Sequence, residues 1–243
     1  MSTLINFRDA AAVADPGAVH ARPGVLFRSA QPYDGPSAAP QKTLAENGIT
    51  TVIDLRGPDE CLDGDWGRPE PGVEIVRTPL DTGFEISQRW AGELRDAADL
   101  GAFYLDMAQS SPQALAVAVR AAARPGGVLI HCAAGKDRTG LMTALLLSLL
   151  GVPDQGVVED YTRTAEALPA IFARLAERPH AQALNTETMD IPEVILQAPA
   201  GAIAEFLRLV AERFGDAEGF LTHCGVEPET LQAFRAKAEA GRG

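Results

Sequence analysis

A chain of 243 residues with 46% apolar side chains is long enough to bury a substantial core and too apolar for global disorder. Its formal net charge of −12 repels nucleic acid and anionic bilayers, so an anionic ligand has to be held by a local positive site. The three cysteines, Cys61, Cys132 and Cys224, are odd in number and far apart, which argues against a disulfide framework. His20, His131, His180 and His223 are isolated from one another and show no metal-ligand spacing.

The start, MSTLINFRDAAAVADPG, carries Arg8 and Asp9 where a signal peptide needs an apolar run. The expectation is no signal peptide and a cytoplasmic default, with non-classical secretion left open. Residues 1–40, rich in Gly and Pro, read as loops around one short strand at 25–27. APQKTLAENG reads as a helix ended by Gly48, followed by the strand ITTVIDL; a second strand, VEIVRTPL, follows a Gly/Pro/acid-rich loop and is expected beside the first. From 84 to 110 the pattern is helical but irregular, and SPQALAVAVRAAARPGG is a clear helix between Pro112 and a glycine stop. VVEDYTRTAEALPAIFARLAE gives one or two helices with a break near Pro169, residues 179–199 a connection, and AGAIAEFLRLVAERFG an amphipathic helix. The tail gives a short helix, a turn at Gly225 and a last helix.

VLIHCAAGKDRTGLMTALLLSLLG, 128–151, joins a strand to an apolar helix through a short loop. The helix is too short to span a bilayer, so stable membrane insertion is not expected. A loop between a buried strand and a helix N-terminus turns backbone N–H groups toward an anion, and Gly135 lets the chain turn where a Cβ would obstruct it. The expected phosphate cradle is Ala133, Ala134, Gly135, Lys136, Asp137 and Arg138. At its mouth Cys132 meets the same N–H groups and Arg138, which favour the thiolate nucleophile. Arg138 offers a planar fork for two phosphoryl oxygens. Thr139 is placed to donate its hydroxyl to the sulfur, and His131 to orient the cysteine. The joint spacing Cys-x5-Arg-Thr carries this reading. A nucleotide P-loop is disfavoured, because AAGKDRTG lacks the upstream glycine and the Gly-Lys-Thr/Ser order.

HCAAGKDRTG resembles the signature loop of cysteine-dependent phosphatases. NFRDAA, VLFRSAQP, GITTVIDLR with Glu60 after it, VEDYTRT and GFLTHCGVEPETLQAFR extend the resemblance over nearly the whole chain, to the bacterial PtpB-like protein tyrosine phosphatases. The resemblance implies an α/β cysteine-phosphatase fold: a central, mostly parallel twisted sheet flanked by helices, with extra C-terminal helices. It implies one phosphatase domain over 1–243, with a variable lid-like helical segment at about 83–110 and a helical C-terminal part at about 152–243. The stretch from Asp81 to Phe103 is shorter than in that family, which counts against a full two-helix lid.

The implied chemistry is two-step phosphomonoester hydrolysis through phosphocysteine, without metal or cofactor. Two carboxyls compete as proton donor: Asp81, placed after VEIVRTPL as in the family and favoured, and Asp137 in the signature loop. Asp54 and Arg56, at a strand end beside the loop, are expected to support it, with Arg56 pairing Glu60. Asn6, Arg8, Asp9, Arg28 and Ser29 are expected to brace the sheet end, and Asp160, Tyr161 and Arg163 to lie behind the loop. Phe84, Trp90, Phe103 and Tyr104 are candidate walls for a phosphotyrosine pocket, with core packing as the alternative. The expected partner is a phosphorylated protein or peptide, with a phosphoinositide reached by Lys136 as the second substrate class and a dual-specificity enzyme as another variant. A silent phosphate-binding module and a sulfurtransferase are the rival classes. The oligomeric state is not legible, and a monomer is the default.

Overall fold

The computed structural model describes residues 4–17, 19–33, 38–61, 66, 71–80, 90, 92–177 and 192–240. Five strands form one sheet: β1 (Arg8–Asp9), β2 (Leu26–Ser29), β3 (Ile49–Asp54), β4 (Glu74–Arg77) and β5 (Gly127–His131), in the order β1-β2-β5-β3-β4. Only β1 is antiparallel to its neighbour; β2, β5, β3 and β4 run parallel. The expected adjacency of β3 and β4 holds. The helices are α1 (Ala10–Ala14), α2 (Ala38–Glu46), α3 (Ala97–Ser110), α4 (Pro112–Ala122), α5 (Asp137–Leu149), α6 (Asp154–Thr162), α7 (Thr164–Ala176), α8 (Ala200–Phe214), α9 (Ala217–His223) and α10 (Pro228–Ala240). The mostly parallel α/β architecture with added C-terminal helices is therefore present.

Side chains of the central strands alternate between two cores, as a two-residue period requires. Val128 and Ile130 of β5 and Leu26 of β2 enter the larger core, together with α3, α5, α8 and α9. Leu129 and Phe27 point the other way, with Leu44 of α2, Ile49 and Val52. Helix α5 is buried on nearly every side, which explains its unbroken GLMTALLLSLL run. Helices α3 and α8 approach closely at Gly101, where a Cβ would stand 2.5 Å from the Ala202 carbonyl oxygen.

Three local expectations need correction. Arg8 and Asp9 form a short edge strand, and the alanines after them a helix capped by the Asp9 carboxylate on the Ala12 N–H. The break after VVEDYT falls at Arg163, while Pro169 lies inside α7. The reason is tertiary: Thr164 is buried and its hydroxyl accepts from Asn6 and Arg8. Within the connection before α8, Glu193–Leu196 forms a 3-10 turn.

Candidate active site

Strands β2, β3 and β5 end together, with His131 opposite both Ser29 and Asp54. Ligands of open parallel sheets bind beyond such carboxyl ends. Here β5 gives way to Cys132 and α5 starts at Asp137, so the loop 132–136 spans the gap.

The loop carbonyls are drawn outward one by one. The Cys132 oxygen faces His131 Nδ1 at 3.1 Å. Ala133 O accepts from the Gln31 N–H at 3.1 Å and the Tyr33 hydroxyl at 3.2 Å. Gly135 O accepts from Asn6 Nδ2 at 3.1 Å and from Arg28 at 2.8 Å, and Lys136 O accepts from the Gly140 N–H at 2.7 Å. With four of the five loop carbonyls engaged in this way, the loop N–H groups and the positive end of α5 are the candidate anion-binding elements. Gly135 makes the turn possible: its φ is +67°, and a Cβ there would come within 2.2 Å of the Ser29 carbonyl oxygen.

Cys132 is 2% exposed. Arg138 is held by both oxygens of Glu60, at 2.5 and 2.6 Å, and by the Leu55 carbonyl. Burial works against its charge, but Glu60, Cys132 and Asp137 outweigh it and push the guanidinium above its ordinary value. Burial likewise opposes the Glu60 carboxylate, and Arg138, the Gly57 N–H and Arg56 override it, holding the group below its usual range. Glu60 thus pairs with Arg138, not with Arg56. Arg56 folds back on Asp54, with contacts of 2.9 and 2.7 Å, and reaches Gln31 at 2.6 Å. Asp54 and Arg56 are both fully buried. Burial would raise the Asp54 carboxyl, yet it lies below its ordinary range. His131 lies 3.6 Å from it, but the Trp66 indole, which can only donate, meets His131 Nε2 at 3.0 Å. That ring is therefore neutral, its proton is on Nδ1 toward the Cys132 carbonyl, and the Arg56 fork holds Asp54.

Behind the loop, Asp160 bridges Arg28 at 2.5 Å and Arg8 at 2.7 Å. Asn6 adopts φ +61° and ties Arg8 to the loop through its side-chain oxygen and nitrogen. Asp9 is turned away, onto Ala12 and Gly24. Two roles expected of the signature loop differ in the structure. The Thr139 hydroxyl is buried in the packing of α5 with no hydrogen-bond partner among the described residues, so it does not donate to the sulfur. Lys136 is 2% exposed and is neither solvated nor turned to the pocket: it donates to the carbonyls of Ile195 and Gln197 and meets Asp137 at 3.1 Å.

Asp137 Oδ1 accepts from the Tyr104 hydroxyl at 2.5 Å, and Tyr104 meets Tyr161 at 2.7 Å. Since Tyr104 gives its one proton to Asp137, Tyr161 must donate to Tyr104. Burial, with Asp137 and Tyr161 alongside, raises the Tyr104 phenol well above its ordinary range, so it remains a donor. Tyr104 is thus core and network, not pocket wall. Trp90 and Phe103 stack edge to face, with the Trp90 indole on Asp106. Asp81 and Phe84 lie outside the described residues. Cys61 Sγ is 4.0 Å from Asp54 Oδ2, and burial pushes the Cys224 thiol up to about 11. Gln31, Tyr33 and Trp66 were missed by sequence reasoning; SAQPY directly after β2 is the signal that could have drawn attention to the first two.

The chain is 32% identical over 273 aligned positions to the triple specificity protein phosphatase PtpB of Mycobacterium tuberculosis, covering 95% of each chain. It is 35% identical over 205 positions to a tyrosine-protein phosphatase of Nostoc commune, covering 82% of this chain and 69% of that one. Among solved structures, TpbA of P. aeruginosa is matched with a TM-score of 0.33 at 18% identity, over 63% of this chain and 86% of that chain. The model of the tyrosine phosphatase family matches residues 1–238; by that match and by the identities of 32% and 35% to the two phosphatases, the chain belongs to the tyrosine phosphatase family.

Proposed function

We propose that the protein hydrolyses phosphotyrosine in proteins or peptides through a phosphocysteine intermediate. The observation that carries this reading is the loop itself, with its carbonyls bound outward, Cys132 at its floor and the Arg138 fork beside it. In the first step Cys132 Sγ attacks phosphorus, the S–P bond forms, and the P–O bond to the leaving group breaks. A carboxylic acid delivers the proton to the departing oxygen. Loop N–H groups and Arg138 hold the phosphoryl oxygens through the transition state. In the second step water attacks phosphorus, its proton passes to the carboxylate, and the S–P bond breaks to return thiolate and inorganic phosphate.

Asp137 adjoins the loop, with Oδ1 bound to Tyr104 and Lys136, so Oδ2 is the oxygen that proton transfer would use. Asp81 is the other candidate, and it and Asp137 are distinguished by their Asn variants on a poor leaving group. A nucleophile only 2% exposed favours a phosphate carried on a long aryl arm over one on serine. The buried Lys136 and the net charge of −12 disfavour a phosphoinositide at an anionic bilayer. No helix among the described residues is long and apolar enough to cross a membrane. The substrate class is tested by kcat/KM on matched phosphotyrosine and phosphoserine peptides and a soluble phosphoinositide. The phosphotyrosine peptide is expected to lead; faster turnover of either other class overturns the assignment.

A further inference from the structure

An ammonium group has three donors and no acceptor. Those of Lys136 have three acceptors within reach: the Ile195 carbonyl, the Gln197 carbonyl at 2.8 Å and Asp137 Oδ1 at 3.1 Å. The side chain is 3% exposed, and its two carbonyl partners belong to the strap that leads from the 3-10 turn Glu193–Leu196 into α8. Two of its three donors are taken by the strap carbonyls, and its charge is paired with Asp137. The same Asp137 oxygen is met from the opposite side of the sequence by Tyr104, itself fixed by Tyr161.

We propose that Lys136 and Tyr104 are positioning residues for Asp137, and that Lys136 does so as a tether to the 193–197 strap and not as a substrate contact. The inference rests on the reading of Asp137 as a proton-transfer carboxylate. A carboxylate in the first turn of a helix has two free side-chain torsions, and a hydrogen bond from Tyr104 of α3 together with the ion pair to Lys136 restricts both. The strap is thereby coupled to the acid: whatever displaces 193–197 frees Lys136 and loosens Asp137.

The test compares Lys136→Met, Lys136→Arg, Tyr104→Phe and Asp137→Asn on phenyl phosphate and 2,4-dinitrophenyl phosphate, the second of which needs little protonation on leaving. Asp137→Asn should lower the phenyl-to-dinitrophenyl ratio of kcat by about 10²-fold, the low end for loss of a general acid. Lys136→Met and Tyr104→Phe should lower the same ratio by about tenfold, with Lys136→Arg restoring part of it. If Asp137→Asn leaves the ratio intact, the reading of Asp137 is wrong. If that variant lowers the ratio and the other two do not, the positioning proposal alone is overturned. Lysine acetylation of the wild-type protein, read by mass spectrometry, tests the tether without any variant. Lys136 should resist the reagent while the exposed Lys42, 74% accessible, reacts. Equal labelling of the two, or protection of Lys136 only on adding a bisphosphate, would contradict the tether.

Discussion

The bond between Arg138 and Glu60 holds in place the fork proposed to grip the phosphoryl oxygens. Glu60→Gln keeps one hydrogen bond and removes the charge, so kcat on a small aryl phosphate should fall about tenfold to a hundredfold through lost alignment. Steady-state kinetics check this, and an unchanged kcat would make the pair ornamental. Asp54 carries a stability effect of definite sign. The Arg56 fork holds its carboxyl below the ordinary 3.8, so it contributes stability that is complete above the unfolded value and is lost as pH falls through the folded one. Urea midpoints at pH 6 and pH 3 should therefore differ, and Asp54→Asn should flatten the difference while lowering stability at both pH values. Equal wild-type midpoints would show that the Arg56 fork does not hold the charge.

Among the elements, the signature loop depends on what stands behind it. Gly135→Ala forces a Cβ against the Ser29 carbonyl at a positive φ, so turnover should drop at least tenfold, with a stability loss of about 1–3 kcal/mol. Asp160→Asn leaves the buried Arg28 and the half-buried Arg8 guanidiniums with half their compensation and should lower stability by about 3–5 kcal/mol in urea denaturation. Much of this element level was legible. The β-branched run ITTVID and the apolar VLI run of β5 could be little else, and the glycine in the loop had one physical use. What escaped reading was set by contacts distant in sequence. A two-residue β1 exists through pairing with β2. The α6–α7 break follows Thr164, held by Asn6 and Arg8 from more than 150 residues away. Glu60 was singled out, but given to Arg56, because no local pattern reveals that Arg138 lies across the sheet end. The role of Lys136 was hidden in the same way, since its acceptors are backbone carbonyls, which carry no sequence signature.

For the molecule as a whole, the two cores share one sheet, and β5 lies between β2 and β3 at its centre with α5 packed over it. Cys132, the proposed nucleophile, is therefore attached to the part of the fold expected to open last. Hydrogen exchange should show amides of β3, β5 and α5 exchanging only on global unfolding, and those of β1 much sooner; early exchange in β5 would contradict this. The proposed anion site also runs counter to the charge of the whole molecule: in a protein of net charge −12, the proposal puts phosphate where a loop, a helix N-terminus and Arg138 meet. Everything in the account meets at one sulfur atom. The direct test is hydrolysis of a small aryl phosphate in excess chelator, with thiols reduced, by wild type and by Cys132→Ser. The account predicts turnover by wild type and a loss of roughly 10³-fold or more in the serine variant; a serine variant that kept its rate, or an inactive wild type, would contradict it.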